Sequence, residues 1–232
     1  MDHEPSTRRD VAVIFDMDGV LVDSAAAHLH AWQQLGDEIG AAFTEALFQR
    51  TFGQRNASII PLWLGPVSAE RLRELEDRKE SLYRQHVRAG AVRLFARIPA
   101  LLADLRNAGA QVAVASSGPR ANVQLLIEVI GAAAIVDASV ASEDVSYGKP
   151  DPEVFVRAAV RVGVGPSHCA VVEDSVHGIE AAKRAGMLAI AVLTSTPQPA
   201  LRRAGADLVY AEVGEMPAAE LVRRLRRGAP RP

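Results

Sequence analysis

Residues 11–23 read VAVIFDMDGVLVD: five apolar residues are followed at once by Asp16, Asp18 and Gly19. A short, continuously apolar run that ends in a turn is typical of a strand buried on both faces of a parallel sheet. Acidic residues directly after such a strand lie at the carboxyl edge of the sheet, where open α/β folds bind their ligands. This stretch therefore predicts both a fold class and the location of a functional site.

Similar apolar runs recur along the chain and alternate with helical patterns from about residue 99 onward. Strands are predicted at residues 111–115, 138–140, 169–172, 188–192 and, more weakly, 207–209. Helices are predicted at residues 99–107, 120–130, 152–162, 176–185, 198–204 and 218–227. The alternation predicts an α/β fold built on a doubly wound, Rossmann-like parallel sheet. The tail at 228–232 is expected to be disordered.

The segment between the first two strands is too long for a single crossover helix. It spans about 95 residues, where a typical connection needs far fewer. Its helical patterns lie at residues 25–39 and 68–89, with two shorter helices expected within 43–64. We therefore expect a helical cap at 24–92, inserted into a catalytic core made of 1–23 and 93–232. The hinges are expected near Asp23–Ser24 and Val92–Leu94.

The composition excludes several classes of protein. The chain has 232 residues, of which 49% are hydrophobic and 23% charged, as in globular proteins with a sizeable core. A net charge of -2 and 5% aromatic residues give no basis for a nucleic-acid or membrane-surface partner. The single Cys169 excludes an intramolecular disulfide and a multi-cysteine metal site. Without an apolar leader or a run of about 20 apolar residues, a cytoplasmic protein is expected.

Polar residues follow the other predicted strands as well. These residues are Ser116, Ser117, Lys149, Glu173 and Asp174. Taken singly, each has an ordinary structural explanation, such as a turn, a helix cap or a surface charge. The Asp-x-Asp-Gly motif does not fit a calcium loop of the EF-hand type, because its glycine is fourth and a strand precedes it. Their joint position at successive strand ends favours one site that combines carboxylates, hydroxyls and an ammonium group.

These motifs resemble those of the haloacid dehalogenase superfamily along essentially the whole chain. The resemblance is based on VIFDMDGVLVDS at 13–24, Ser116, GKPDPEVF at 148–155 and VVEDSVHGIEAAKRAGM at 171–187. The inserted helices match the small helical cap of that superfamily. Within it, the chain is most similar to the β-phosphoglucomutase-like phosphatases.

The resemblance implies roles for the acidic residues. Asp16 is expected to be the nucleophile that forms an aspartyl-phosphate, and also a metal ligand. Asp18 is expected to be the general acid–base, with its main-chain carbonyl on the metal. Asp174 completes the ligand set, with Glu173 either a ligand or a neighbour of one. The implied cofactor is Mg²⁺, because a phosphate dianion must be neutralised before a carboxylate attacks it.

The resemblance also implies how the phosphoryl group is held. Ser116 and Lys149 are expected to bind its oxygens, together with backbone amides around Met17, Asp18 and Ser117. The implied activity is a Mg²⁺-dependent phosphatase acting on a small phosphorylated metabolite, with a sugar phosphate favoured. Asp18 argues against dehalogenases and phosphonoacetaldehyde hydrolases, which lack an aspartate at this place. A monomer or weak homodimer is expected.

Four cap residues align with substrate-binding positions of the β-phosphoglucomutases, namely His28, Trp32, Gly53 and Lys79. For Trp32, packing between helices explains the residue equally well. Asn56 stands where those enzymes carry an arginine that binds a second phosphate. Arg55 is one residue away, a shift that on a helix rotates a side chain by about 100°, so we do not expect it to bind phosphate. A second departure, at residues 96–97, replaces the usual proline–glycine before the next helix with alanine–arginine.

Three functions stay open at this point. The first is the phosphatase. The second is a β-phosphoglucomutase, which interconverts β-glucose 1-phosphate and glucose 6-phosphate through the same aspartyl-phosphate. The third is a catalytically silent binding module on the same fold. Phosphate release, isomerisation or neither, measured with Mg²⁺ on sugar phosphates, distinguishes them.

Overall fold

A computed structural model describes residues 9–227 and contains a six-stranded parallel sheet. The strands of the described chain, in order, are β1 Val11–Phe15, β2 Val22–Asp23, β3 Arg93–Leu94, β4 Ala110–Ala115, β5 Ala138–Val140, β6 Cys169–Glu173, β7 Leu188–Val192 and β8 Leu208–Tyr210. The sheet has the order β5-β4-β1-β6-β7-β8. The six predicted strands all belong to it, and the predicted fold class is confirmed.

Strand β1 lies in the middle of the sheet, where both of its edges are paired. All five of its residues are apolar, as this position requires. Ile14 is opposite Ala113 of β4 and Val171 of β6. The side chains alternate between two hydrophobic cores: Val13 contributes to one and Ile14 to the other. Burial on both faces explains why the strand has no polar residue until Asp16, where it reaches the edge of the sheet.

Ten α-helices are found in the described chain, close to the predicted ones. They are α1 Ala25–Ile39, α2 Glu45–Thr51, α3 Asn56–Leu64, α4 Ala69–Arg88, α5 Ile98–Asn107, α6 Arg120–Ile130, α7 Glu153–Arg161, α8 Val176–Arg184, α9 Gln198–Arg203 and α10 Ala218–Arg226. Half of the predicted ends coincide with the observed ones and the other half differ by one residue, where prolines and capping residues lie just outside the helices. Short 3₁₀ turns at Ser142–Asp144, Pro166–His168 and Val213–Glu215 complete the connections.

Helices α1–α4, called the cap helices below, lie between β2 and β3. These two strands form a separate antiparallel pair, with Val22 opposite Leu94, at the places predicted as hinges. Inside the cap, α1 packs along α4. The division of the chain into domains at residues 24 and 92 stays a prediction.

The connection into α5 contains an unusual backbone conformation. Arg97, the residue before α5, has φ of 63°, in the left-handed region. This conformation costs a residue with a Cβ atom roughly 1–2 kcal/mol, and glycine adopts it without that cost. Arg97 therefore carries a local strain.

Two sequence expectations concern the ends of the chain. Disorder of the tail at residues 228–232 falls outside the described residues, as do the first eight residues. No helix between residues 9 and 227 combines the length and the apolar character needed to cross a membrane.

Candidate active site

The structure brings the residues predicted from strand ends and from the cap to a single cavity. The cavity has a volume of about 860 Å³ and lies between the cap helices and the carboxyl edge of the sheet. Its lining includes every predicted site residue: Asp16, Asp18, His28, Trp32, Gly53, Asn56, Lys79, Ser116, Ser117, Lys149, Glu173 and Asp174. This convergence follows from parallel strands, whose carboxyl ends share one edge.

A buried cluster of carboxylates forms the floor of the cavity. One oxygen each from Asp16, Glu173 and Asp174 lies within 4.8 Å of the others. The ammonium group of Lys149 donates to Asp16 Oδ1 at 2.5 Å and to Glu173 Oε1 at 2.6 Å. Two of the three carboxylates thus contact the same ammonium group, in a site that solvent hardly reaches.

The electrostatics of this cluster call for a further cation. Burial, opposed in part by Lys149, raises the pKa of Asp16 well above its ordinary value, and the neighbouring carboxylates add to the rise. Burial and the charge of Glu173 raise the pKa of Asp174 to about 7. Burial alone would lower the pKa of Lys149, but Asp16 and Glu173 raise it. Carboxylate oxygens are the ligands that hard divalent cations prefer, so the residues fit such an ion.

The two acidic residues at the end of β6 differ in how they are held. Glu173 Oε2 accepts hydrogen bonds from the backbone N–H of Asp174 at 2.9 Å and of Ser175 at 2.8 Å. Its other oxygen is taken by Lys149. A Cβ atom at Gly178 would lie 1.9 Å from the Glu173 carboxyl carbon, so glycine is required there. Protein groups therefore occupy both oxygens of Glu173.

Asp174 is positioned by the loop after β1 and the loop after β7. Gly19 has φ of 79°, and a Cβ atom there would lie 2.0 Å from Asp174 Oδ2, which explains the glycine of the first motif. Thr194 Oγ1 donates to the Gly19 carbonyl at 2.5 Å and lies 3.3 Å from Asp174 Oδ2. Ser195 donates to the Asp174 carbonyl at 3.0 Å. Both hydroxyls were missed in the sequence, although they lie within three residues of the end of strand β7.

Asp18 has different surroundings from Asp16, although only two residues separate them. Its Oδ1 accepts a hydrogen bond from Ser24 Oγ at 2.5 Å and lies 3.4 Å from His28 Nε2. Burial by itself would raise the pKa of Asp18, but His28, Ser24 and Lys79 hold it below its ordinary value. The surroundings thus shift the pKa values of the two aspartates in opposite directions, upward for Asp16 and downward for Asp18.

A chain of polar contacts extends from Asp18 into the cap. Lys79 Nζ lies 2.9 Å from His28 Nδ1 and 2.8 Å from Glu80 Oε1. Because a lysine ammonium only donates, Nδ1 accepts, and the ring proton is on Nε2, which faces Asp18. His28 is also stacked on Tyr83 with ring centroids 3.8 Å apart. Residues of the cap therefore orient the His28 ring so that its Nε2 faces Asp18.

Glu80 joins the cap to the core, and the sequence did not indicate it. It is 6% exposed and accepts from Asn56 Nδ2 at 2.6 Å. Asn122 of core helix α6 donates to its other oxygen at 2.5 Å. Arg84 of α4 in turn donates to the side-chain oxygen Oδ1 of Asn122 at 2.9 Å. Two residues of the cap helix α4 thus bind the side-chain amide of Asn122, one at its nitrogen and one at its oxygen.

The remaining cap predictions are also placed in the cavity wall. Trp32 is 2% exposed and is stacked on Phe43 at 4.9 Å, so packing accounts for most of its surface. Gly53 has φ of 84° with open space where a Cβ would be, so backbone conformation alone favours glycine. The roles of these residues in substrate binding stay predictions.

Comparison with known proteins places the chain in a family. Residues 11–186 match the haloacid dehalogenase-like hydrolases, and the chain belongs to that family, within its β-phosphoglucomutase and sugar phosphatase branch. It is 33% identical over 216 residues to β-phosphoglucomutase of Bacillus subtilis, covering 88% of this chain and 91% of that protein. It is 30% identical over 183 residues to a phosphorylated carbohydrates phosphatase of Thermotoga maritima, covering 76% and 82%.

A solved structure agrees with the fold. A family IA haloacid dehalogenase hydrolase of Entamoeba histolytica superposes with a TM-score of 0.84 at 26% identity, covering 93% of this chain and 99% of that one. The family predicted from the motifs is thereby confirmed.

Proposed function

We propose that the protein is a Mg²⁺-dependent phosphatase that hydrolyses a small phosphorylated metabolite, a sugar phosphate, through an aspartyl-phosphate on Asp16. The observation that supports this most is the contrast between the two aspartates of the first motif. Asp16 lies in the carboxylate cluster beside Lys149, whereas Asp18 lies against Ser24 and His28. One is placed to act as nucleophile and the other to move protons.

The metal site would be formed by Asp16, Asp174 and the main-chain carbonyl of Asp18. Bound there, Mg²⁺ supplies positive charge that offsets the phosphate dianion and orients the phosphoryl group. We place Glu173 beside the ligands as a neighbour of the site, since its Oε2 accepts from two backbone N–H groups and its Oε1 accepts from Lys149. Its part is to hold Lys149 and the Asp174 backbone in place.

The first step is attack by an Asp16 oxygen on phosphorus. The bond between phosphorus and the ester oxygen breaks, and Asp18 gives its proton to the departing oxygen. In the protein without substrate, His28, Ser24 and Lys79 hold the pKa of Asp18 below its ordinary value, so Asp18 has to gain a proton before this step. Lys149, Ser116 and the backbone N–H of Ser117 hold the phosphoryl oxygens.

The second step hydrolyses the aspartyl-phosphate. Asp18, now ionised, takes a proton from water as the water oxygen attacks phosphorus. The bond to Asp16 breaks, which releases inorganic phosphate and restores the carboxylate. Donation from His28 stabilises ionised Asp18, and Lys79 fixes the ring that donates. Every group in this scheme comes from one chain, so the reaction needs no second subunit.

The side chain of Asn56 and its contact with Glu80 favour hydrolysis over isomerisation. A mutase must hold a sugar bisphosphate, whose second phosphate needs a cation. Here Asn56 is a neutral amide that donates to Glu80, a carboxylate already paired with Lys79, so Asn56 itself offers no cation to a second phosphate. Hydroxyl groups of a sugar or polyol are compatible with these surroundings. The alternative, β-phosphoglucomutase, is supported by 33% identity to the Bacillus subtilis enzyme.

The test is a panel of sugar and sugar-alcohol monophosphates incubated with the protein and Mg²⁺. We expect release of inorganic phosphate that is lost in Asp16→Asn and on chelation of the metal. Conversion of β-glucose 1-phosphate to glucose 6-phosphate without release would establish the mutase instead. If the protein is folded and binds Mg²⁺ but hydrolyses and isomerises no ester, the catalytically silent binding module is the remaining function.

A further inference from the structure

Asn122, on core helix α6, is a buried polar residue whose side chain contacts the cap helix α4. Its Nδ2 donates to Glu80 Oε2 at 2.5 Å, and its Oδ1 accepts from Arg84 at 2.9 Å. Glu80 and Arg84 are four residues apart, which places them on the same face of α4. An amide whose nitrogen and oxygen both have partners on one helix is fixed in a single orientation. These two contacts thus set the position of Glu80 relative to the core.

Glu80 connects this contact to Lys79 through its second oxygen. Oε1 of Glu80 accepts from Lys79 Nζ at 2.8 Å and from Asn56 Nδ2 at 2.6 Å. Lys79 is 2% exposed, so its ammonium group has to be stabilised by an opposite charge, and among residues 9–227 Glu80 is the carboxylate that forms a salt bridge with it. Glu80 therefore determines where the Lys79 ammonium group lies.

Lys79 continues the path back to the core. Its Nζ lies 2.9 Å from His28 Nδ1, and His28 Nε2 lies 3.4 Å from Asp18 Oδ1. The path begins on α6 and ends after β1, both in the core, whereas its three middle members belong to the cap. Core residues therefore locate these cap side chains from both ends. The group bound to Nδ1 determines which ring nitrogen is free to face Asp18.

We propose that Asn122 and Glu80 are positioning residues for the reaction. They hold the Lys79 ammonium group on Nδ1 of His28, and the imidazole ring then presents its Nε2 to Asp18. The hydrogen bonds of Asn122 and Glu80 in the described chain do not include Asp18, so the two residues act through Lys79 and His28. The acid–base role of Asp18 rests on the proposed function, but the orientation of the ring does not.

The path indicates what the loss of one hydrogen bond changes. Without the Nδ2 donor of Asn122, Glu80 can turn toward Arg84, which lies one helical turn further along α4. The Lys79 ammonium group then follows the carboxylate away from His28, and the ring loses the donor that occupies Nδ1. Asp18 is still present, but the ring that faces it is no longer fixed. The expected effect is on the rate of the chemical steps and not on the binding of phosphate.

The experiment compares wild type with Asn122→Asp, Glu80→Gln and the control Gln124→Glu. Asn122→Asp preserves the shape of the side chain and the acceptor for Arg84, but it replaces the donor to Glu80 with an oxygen. Gln124 is an exposed residue of the same helix that does not line the cavity, so Gln124→Glu makes the same change of charge without the contact.

Three measurements are made on each protein. The rate constant kcat is measured with p-nitrophenyl phosphate and Mg²⁺. Isothermal titration with inorganic phosphate in the presence of Mg²⁺ gives an affinity that does not depend on turnover. Unfolding in urea shows that each variant is folded and gives its midpoint. The same measurements are repeated in a His28→Ala background, which removes the ring through which the path acts.

We expect Asn122→Asp and Glu80→Gln each to lower kcat about tenfold, within the range of coupling between residues of one network, and to change phosphate affinity by less than about threefold. Gln124→Glu should match wild type. In the His28→Ala background, Asn122→Asp should lower kcat no further, since the ring is already absent. If Asn122→Asp does not fold, Glu80→Gln provides the same comparison.

Several results would overturn the proposal. The first is a kcat within about twofold of wild type in both variants, and the second is an equal loss of kcat with and without His28. A large loss of phosphate affinity with unchanged kcat would make Asn122 a substrate-binding residue instead.

A wild-type protein that hydrolyses no ester would refute the phosphatase but not the positioning path. The urea midpoints then decide, because Asn122 and His28 are coupled only through Glu80 and Lys79. Together, Asn122→Asp and His28→Ala should lower the midpoint by less than the sum of their separate effects. Additive effects would overturn the proposal.

Discussion

Binding of Mg²⁺ should depend steeply on pH because a proton competes for Asp174. Burial and the neighbouring Glu173 raise the pKa of Asp174 to about 7, and the metal binds the ionised form. Affinity should therefore fall about tenfold for each pH unit below 7 and be roughly 30-fold lower at pH 5.5 than at pH 8. The raised pKa of Asp16 acts in the same direction.

Isothermal titration of Mg²⁺ at pH 5.5, 6.5 and 8.0 measures this dependence directly. Asp174→Asn serves as the control: it should bind the metal weakly, with a shallower dependence on pH. Dissociation constants at pH 5.5 and 8.0 that agree within about threefold would refute the electrostatic argument, since a proton at pKa 7 must be displaced.

The same raised pKa has a consequence for stability. The folded, metal-free protein retains a proton on Asp174 that the unfolded chain releases above its ordinary pKa of 3.8. The contribution of Asp174 to the stability of the metal-free fold should therefore be greatest below about pH 4 and fall toward pH 7. The increase in Tm on adding Mg²⁺ should accordingly be larger at pH 8 than at pH 5.5.

Three other predictions follow from named contacts. Asp174→Ala should abolish or severely weaken Mg²⁺ binding, whereas Glu173→Gln should weaken it by at most about 10–100-fold, as for a residue that supports a ligand; equal losses in titration would contradict this. Asn56→Arg alone should leave the ratio of isomerised to hydrolysed β-glucose 1-phosphate unchanged, because the new guanidinium pairs with Glu80, and adding Glu80→Gln should raise that ratio. Arg97→Gly should increase the free energy of unfolding in urea by about 1 kcal/mol, by removing a left-handed arginine; a decrease would show that the conformation carries no strain.

The sheet and the floor of the site could be predicted from the sequence because both depend on local patterns. Strand β1 is five apolar residues ended by Asp16, a run that suits an interior strand of a parallel sheet. Once the strands are parallel, residues that follow them meet at one edge. Asp16, Asp174 and Lys149 are brought together by topology alone, without knowledge of any side-chain contact.

The link between cap and core could not be predicted in this way. Glu80 and Asn122 are 42 residues apart and lie on helices whose relative position is set by packing. In the sequence, Glu80 is one more acidic residue on a highly charged helix. Arg55 lies outside α3 in extended backbone, so the rotation that a one-residue shift causes on a helix does not apply to it. Such contacts require the tertiary structure.

Trapping of the phosphoenzyme tests the central claim most directly. Asp18→Asn retains Asp16 and its main-chain carbonyl but cannot activate water, a loss of about 10²–10⁴-fold in rate. With p-nitrophenyl phosphate, whose leaving group needs little protonation, this variant should form the aspartyl-phosphate and then stall. Intact-mass spectrometry after a rapid acid quench should show one added phosphoryl group, and peptide mapping should place it on Asp16. Near-wild-type turnover of Asp18→Asn, or an adduct on Asp18 in the wild-type protein, would contradict the assigned roles.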